Sequence, residues 1–133
     1  MKILFKSPGW CLGLLLFVAA CSPRNQVSVS DTNLGDTIDV KQNIVFDFSH
    51  DLAPDSVLQK WDSTAFFTLQ PEVKGLFKWN SARQLVFSPS AGFKPETDYS
   101  LHFSTALLKY TAGHLSLEAT EYKFTTEALK LQN

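Results

Sequence analysis

An antiparallel β-sandwich of about seven strands is the fold this sequence predicts, on three observations. Between Asp36 and Glu127, short runs alternate apolar and polar residues with period two, the pattern of strands with one face buried. Turn-forming residues separate the runs at roughly regular intervals. Only Pro54 to Trp61 reads as a helical turn, with Asp55 or Ser56 as its cap. Without helices to cover them, the sheets must bury their apolar faces against each other.

The first strand is expected over Asp36–Val40. In the second, Ile44, Phe46 and Phe48 share one face, and Val45, Asp47 and Ser49 the other. Thr64–Leu69 and Leu76–Trp79 come next, the latter setting Phe77 and Trp79 two apart on one face. Leu85 and Phe87 alternate with Val86 and Ser88, and Tyr99, Leu101 and Phe103 with Ser100, His102 and Ser104. The last strand, Glu121–Thr126, sets Tyr122 and Phe124 against Lys123 and Thr125. Turn signals fall at Asp51 to Asp55, Gln70-Pro71, Lys74-Gly75, Asn80-Ser81, Pro89 to Gly92, Lys94-Pro95 and Ala112-Gly113.

This phase predicts an inward set of Phe46, Phe48, Phe77, Trp79, Phe87, Leu101, Phe103 and Phe124, with Asp47, His102 and Lys123 outside. Gly75, between two strand-like runs, is expected at a turn of positive φ. Pro95-Glu96-Thr97-Asp98-Tyr99 closes a loop and opens a late strand. That placement suits a tyrosine corner, in which the hydroxyl bonds back to nearby backbone.

The N-terminus has a different grammar. Lys2 and Lys6 precede an apolar run from Cys11 to Val18, and Ala19-Ala20 supplies small residues for a signal peptidase. The run falls short of the roughly 20 apolar residues that span a bilayer. Val18-Ala19-Ala20-Cys21 resembles the lipobox of bacterial lipoproteins. The resemblance implies cleavage before Cys21, a diacylglyceryl thioether on its sulfur and a second acylation on the new amine. Two or more acyl chains would hold the chain on a membrane. In the sorting rule of many Gram-negative bacteria, Asp after the lipidated cysteine retains the protein in the inner membrane. Ser22 stands there, which favours the outer membrane.

The expected organisation is a signal peptide over residues 1–20 and a lipidated cysteine with a flexible tether over 21–35. The sandwich takes 36–127, and a short tail 128–133. As a coil, the tether would average roughly 20 Å. Removing 20 of 133 residues leaves 113, which suits one domain. The signal takes two of the 12 basic residues and none of the 13 acidic ones, leaving ten against 13, a balance of −3. Such a chain presents no electrostatic footprint for nucleic acid. Cys11 leaves with the signal and Cys21 goes to lipid, so no thiol remains for a disulfide, a metal or a nucleophile.

Catalytic constellations find no support. His50, His102 and His114 lack metal-ligand spacing, and Asp47 and Asp51 near His50 read as solvent-facing strand-end residues. No Gly-x-Ser-x-Gly elbow or phosphate-binding glycine loop occurs, and Glu118 and Glu121 have no identifiable partner. No cofactor is expected.

The run Pro71-Glu-Val-Lys-Gly75-Leu-Phe-Lys-Trp79, then Leu85-Val-Phe87-Ser-Pro89, then Phe93-Lys-Pro95-Glu-Thr97-Asp-Tyr99, resembles the bacterial Ig-like domain, also called the SbsA-type Ig-like domain. The resemblance spans roughly residues 36 to 127 and implies an Ig-like sandwich in which Gly75, Trp79, Phe87, Pro95 and Tyr99 are structural. With lipobox and tether, it looks most like the N-terminal module of a bacterial alpha-2-macroglobulin-like lipoprotein. The role so implied is a non-catalytic spacer or interaction module of the cell envelope, with a protein partner or downstream domains. The thioester motif Cys-x-Glu-Gln of that family's protease-trapping members is missing from this sequence. The alternative is a surface adhesion or glycan-binding module using Trp61 or Lys74.

Overall fold

Two β-sheets, face to face, make up most of the computed structural model, which describes residues 25–129. The strands in chain order are β1 (Gln26–Val27), β2 (Val29–Thr32), β3 (Thr37–Ile38), β4 (Ile44–Phe48), β5 (Trp61–Asp62) and β6 (Phe67–Gln70). Then follow β7 (Gly75–Ser81), β8 (Gln84–Pro89), β9 (Asp98–Phe103), β10 (Ser116–Leu117) and β11 (Glu121–Thr126). One sheet runs β2-β4-β8-β7-β5, the other β3-β11-β9-β6, and β1 and β10 form a separate two-stranded pair.

The alternating runs set these sheets. β4 buries Ile44, Phe46 and Phe48 on one face, and β9 does the same with Tyr99, Leu101 and Phe103. All eight residues of the expected inward set are buried, from Phe46 and Leu101 at 0% exposed to Phe103 at 8%. His102 and Lys123 are exposed, and Asp47 is half-buried on the outward face, where it accepts from Gln84 Nε2 at 2.9 Å. Val86 departs from strict alternation, being buried on the outward phase of β8. It sits mid-sheet, with Val45 and Lys78 directly opposite on its two neighbours.

The sheets meet through aromatic side chains. The Phe46 ring of β4 lies 5.9 Å from Phe67 of β6, 4.9 Å from Phe103 of β9 and 5.3 Å from Tyr122 of β11. Phe67 reaches back to Phe77 at 4.9 Å and Phe87 at 5.2 Å. Most pairs are tilted or edge-to-face, the arrangement in which a positive ring edge meets a negative ring face.

Three expectations need correction. Residues 26–32 are not tether: Val27 is 1% exposed, β1 pairs with β10, and β2 pairs antiparallel with β4. Side chains there also extend the sheet, because Asn33 Oδ1 accepts from Val45 N–H at 2.9 Å and Thr32 Oγ1 donates to Val45 O at 2.7 Å. Polar residues that satisfy strand backbone through their side chains look like linker in sequence.

Next, the sandwich is not purely antiparallel. The chain passes from one sheet to the other between β2 and β3, so β3 lies parallel to β11, and β1 is parallel to β10. Finally, the helical turn is only a 3₁₀ turn over Asp55–Val57, with Pro54 at its cap position and no side-chain cap bond. Trp61 belongs instead to edge strand β5. A second 3₁₀ turn, Thr105–Leu108, is capped by Ser104, whose side chain accepts from Ala106 N–H.

Because Phe46 is fully buried among rings of the opposite sheet, Phe46→Ala should destabilise the domain by about 3–5 kcal/mol in urea titration. Leu76→Ala, on the exposed outer face of β7, should stay within about 0.5 kcal/mol.

Candidate functional site

The residues singled out in the sequence fall into two places. Gly75 and Phe87 meet near the start of β7 and Tyr99 anchors a corner beside it, whereas Trp79 lies toward the other end of β7. Cys21 lies outside the described residues.

Gly75 is needed, but not for a turn. It opens β7 opposite Pro89 of β8, and a Cβ there would stand 2.7 Å from Cε1 of the Phe87 ring and collide with Ser88 O. The requirement is close approach of a neighbouring strand and ring, which only hydrogen accommodates. The positive-φ glycine of this region is Gly92, at φ +77°, which lets the Phe93 N–H reach Val40 O at 2.7 Å.

The corner is built around Tyr99. Its ring is 2% exposed, stacks on Phe124 at 5.3 Å and meets Phe93 edge-on at 5.4 Å. Its hydroxyl oxygen accepts from the backbone N–H of Lys94 at 2.9 Å, five residues upstream. Pro95 lies inside the loop so closed, and its carbonyl accepts from Thr97 Oγ1 at 2.8 Å. Thr126 completes the corner from β11: its hydroxyl donates to Lys94 O and accepts from Thr97 N–H at 3.0 Å. Sequence reasoning missed Thr126, though a signal exists. It occupies the inward phase of Tyr122 and Phe124, and a hydroxyl at 2% exposure needs partners.

A cleft of about 420 Å³ opens beside the corner, between Glu72–Lys74 and Ser90–Lys94. A second, of about 260 Å³, lies at the edge strand β5, between Trp61, Trp79 and Tyr110. Trp61 and Lys74 therefore do not share a site. At the second cleft, Asp62 Oδ1 accepts from Thr64 N–H and Thr64 Oγ1, both at 3.0 Å. The Thr64 N–H holds the Asp62 carboxyl below its ordinary range against a partial burial that pushes it up, with Lys109 adding to the lowering. Elsewhere, Asp51 pairs with Arg83 at 2.7 Å and His102 lies 3.3 Å from Glu121. Among the described residues, no group of three or more His, Cys, Asp or Glu is placed to hold a metal ion.

Two sheets packed through aromatics and a tyrosine hydroxyl tied to upstream backbone define an immunoglobulin-like module. The chain belongs to the bacterial Ig-like domain family, whose sequence profile matches residues 21–126. It is 30% identical over 91 residues to an alpha-2-macroglobulin homolog of Yersinia pestis, a match covering 68% of this chain and 4% of that protein. Among solved structures, an L,D-transpeptidase from Mycobacterium tuberculosis H37Rv aligns with a TM-score of 0.48 at 14% identity, over 75% of this chain and 40% of that one. An L,D-transpeptidase from Mycobacterium smegmatis aligns with a TM-score of 0.49 at 14% identity, over 80% of this chain and 41% of that one.

Tyr99→Phe removes one hydrogen bond and leaves the ring, so the domain should lose about 1 kcal/mol by denaturant titration. Gly75→Ala should destabilise it by about 1–3 kcal/mol, because Ser88 and Phe87 must both give way.

Proposed function

We propose that this chain is a non-catalytic Ig-like module of the bacterial cell envelope, anchored to a membrane by lipid on Cys21. It serves as a membrane-proximal spacer or protein-interaction module of the alpha-2-macroglobulin type. The observation that carries the reading is the 30% identity over 91 residues to the Yersinia pestis homolog, found in the same chain as a Val18-Ala19-Ala20-Cys21 lipobox-like sequence. The chain spans 4% of that relative's length, so protease defence by the whole protein is carried over only as a context in which such a module works. The corner chemistry fits a structural role, since the Tyr99 and Thr126 hydroxyls hold loop backbone to strand. Ser22 after the cysteine favours the outer membrane.

Cys21→Ala should abolish labelling by radioactive palmitate and move the chain from the membrane pellet to the soluble fraction or leave it unprocessed. Processed, pelleting, unlabelled protein in that variant would remove the anchor from this reading.

A further inference from the structure

The cleft at β5 combines features that a purely structural module does not require. This chain buries most of its aromatic rings, yet Trp61 stands 48% exposed on an edge strand, and half-buried Tyr110 faces the same cleft. Ammonium groups accompany both rings: Lys78 Nζ lies 4.7 Å from the Trp61 ring centre and Lys109 Nζ 5.1 Å from that of Tyr110. Lys60 lines the cleft as well, its Nζ donating to Ser56 O at 3.1 Å. The charged residues lining the cleft are Lys60 and Asp62, and Lys78 and Lys109 stand over its two less buried rings. Trp79 forms part of the wall, 2% exposed, and its Nε1–H is buried with no acceptor among the described residues.

Aromatic faces and cations at one small opening select a ligand that has both an apolar face and negative charge. A sugar ring offers C–H faces to stack on indole and phenol, and hydroxyls for Asp62. A carboxylate on the ring answers the lysines. The volume, about 260 Å³, falls below the roughly 300 Å³ at which pockets for whole drug-sized molecules begin, which suits one ring of a longer chain. A single-stranded nucleic acid would also stack, but it needs a continuous basic groove, and here Lys60 alone of the lysines lines the cleft, with Lys78 and Lys109 at its two rings. We propose that this cleft binds one ring of an acidic saccharide chain, stacked on Trp61 and Tyr110, with its charge toward Lys60, Lys78 and Lys109. The proposal uses other residues than the membrane anchor and stands or falls separately from it.

The test is titration of the ¹⁵N-labelled full chain in detergent with a galacturonate hexamer, the neutral hexamer of N-acetylglucosamine and an oligodeoxythymidylate. Calorimetry runs in parallel. The acidic hexamer should shift the indole N–H resonance of Trp61. Trp61→Ala should weaken it about tenfold, the value of one stacking contact, and Trp61→Phe should recover part of the loss. Lys60→Ala should weaken it and flatten its salt dependence. An unchanged thermal midpoint in Trp61→Ala would tie its loss to the cleft. The idea is overturned by no shift with the acidic hexamer, by equal affinity for the neutral one, by undiminished binding in Trp61→Ala, or by tighter binding of the oligonucleotide.

Discussion

A single layer of aromatic side chains joins the two sheets, and the rest of the fold answers to it. The only cysteines of the sequence are Cys11 and Cys21, so nothing covalent ties one sheet to the other within residues 25–129. Cohesion therefore rests on apolar area and ring geometry, and the rings are large: Phe46, Phe48, Phe67, Phe77, Trp79, Phe87 and Phe103 make one connected cluster across the interior. Tilted and edge-to-face pairs add about 0.5–1.5 kcal/mol each beyond area burial. They also fix ring orientation, which is why Gly75 has no freedom to change. The Phe87 ring is turned toward Phe77 and Phe67 at 4.9 and 5.2 Å, and so occupies the space a Cβ on residue 75 would need. The glycine is a consequence of the stack.

The corner is a second, smaller cluster with a different job. Phe93, Tyr99 and Phe124 pack at the end of the sandwich where the long β8–β9 connection must be brought back onto the sheet. Apolar packing alone does not fix a loop's backbone. Here the Lys94 N–H and carbonyl are claimed by Tyr99 and Thr126, from β9 and β11, so the loop is tied to adjacent strands at one residue. Gly92 and Glu96, both at positive φ, let the chain turn sharply on either side of that tie.

How much of this was legible in the sequence follows from how local each signal is. Period-two alternation is local, and it gave the inward phase of β4, β7, β8, β9 and β11 correctly. The corner was legible because proline, threonine and tyrosine sit within five residues. What stayed hidden was non-local or side-chain mediated. β1, β5 and β10 have two residues each, too few to show a period, and they exist through partners far away in sequence. Asn33 behaves as a strand neighbour through its amide, which reads as a loop residue. The reason for Gly75 is not legible in sequence, because a close approach between strands leaves no mark beside the glycine itself. The β5 cleft was half visible: Trp61 stood out as a large aromatic beside loop residues, but its company of Tyr110 and Lys109 comes from nearly fifty residues away.

The corrected N-terminal boundary changes what lipid on Cys21 would mean mechanically. With a tether reaching to residue 35, an extended chain of about 3.3–3.6 Å per residue would let the sandwich stand some 50 Å from its anchor. Pairing begins instead at Gln26, leaving five Cα steps from Cys21 and a reach of no more than about 18 Å. Val27 is fixed by burial and by β10, and Ser28 by mutual bonds with Ser49, so the load of an anchor would pass directly into the sheets. On the proposed anchoring, a module held that closely would set the position of whatever is attached to it relative to the bilayer. A sandwich whose described core is apolar and aromatic is the kind of structure suited to that work.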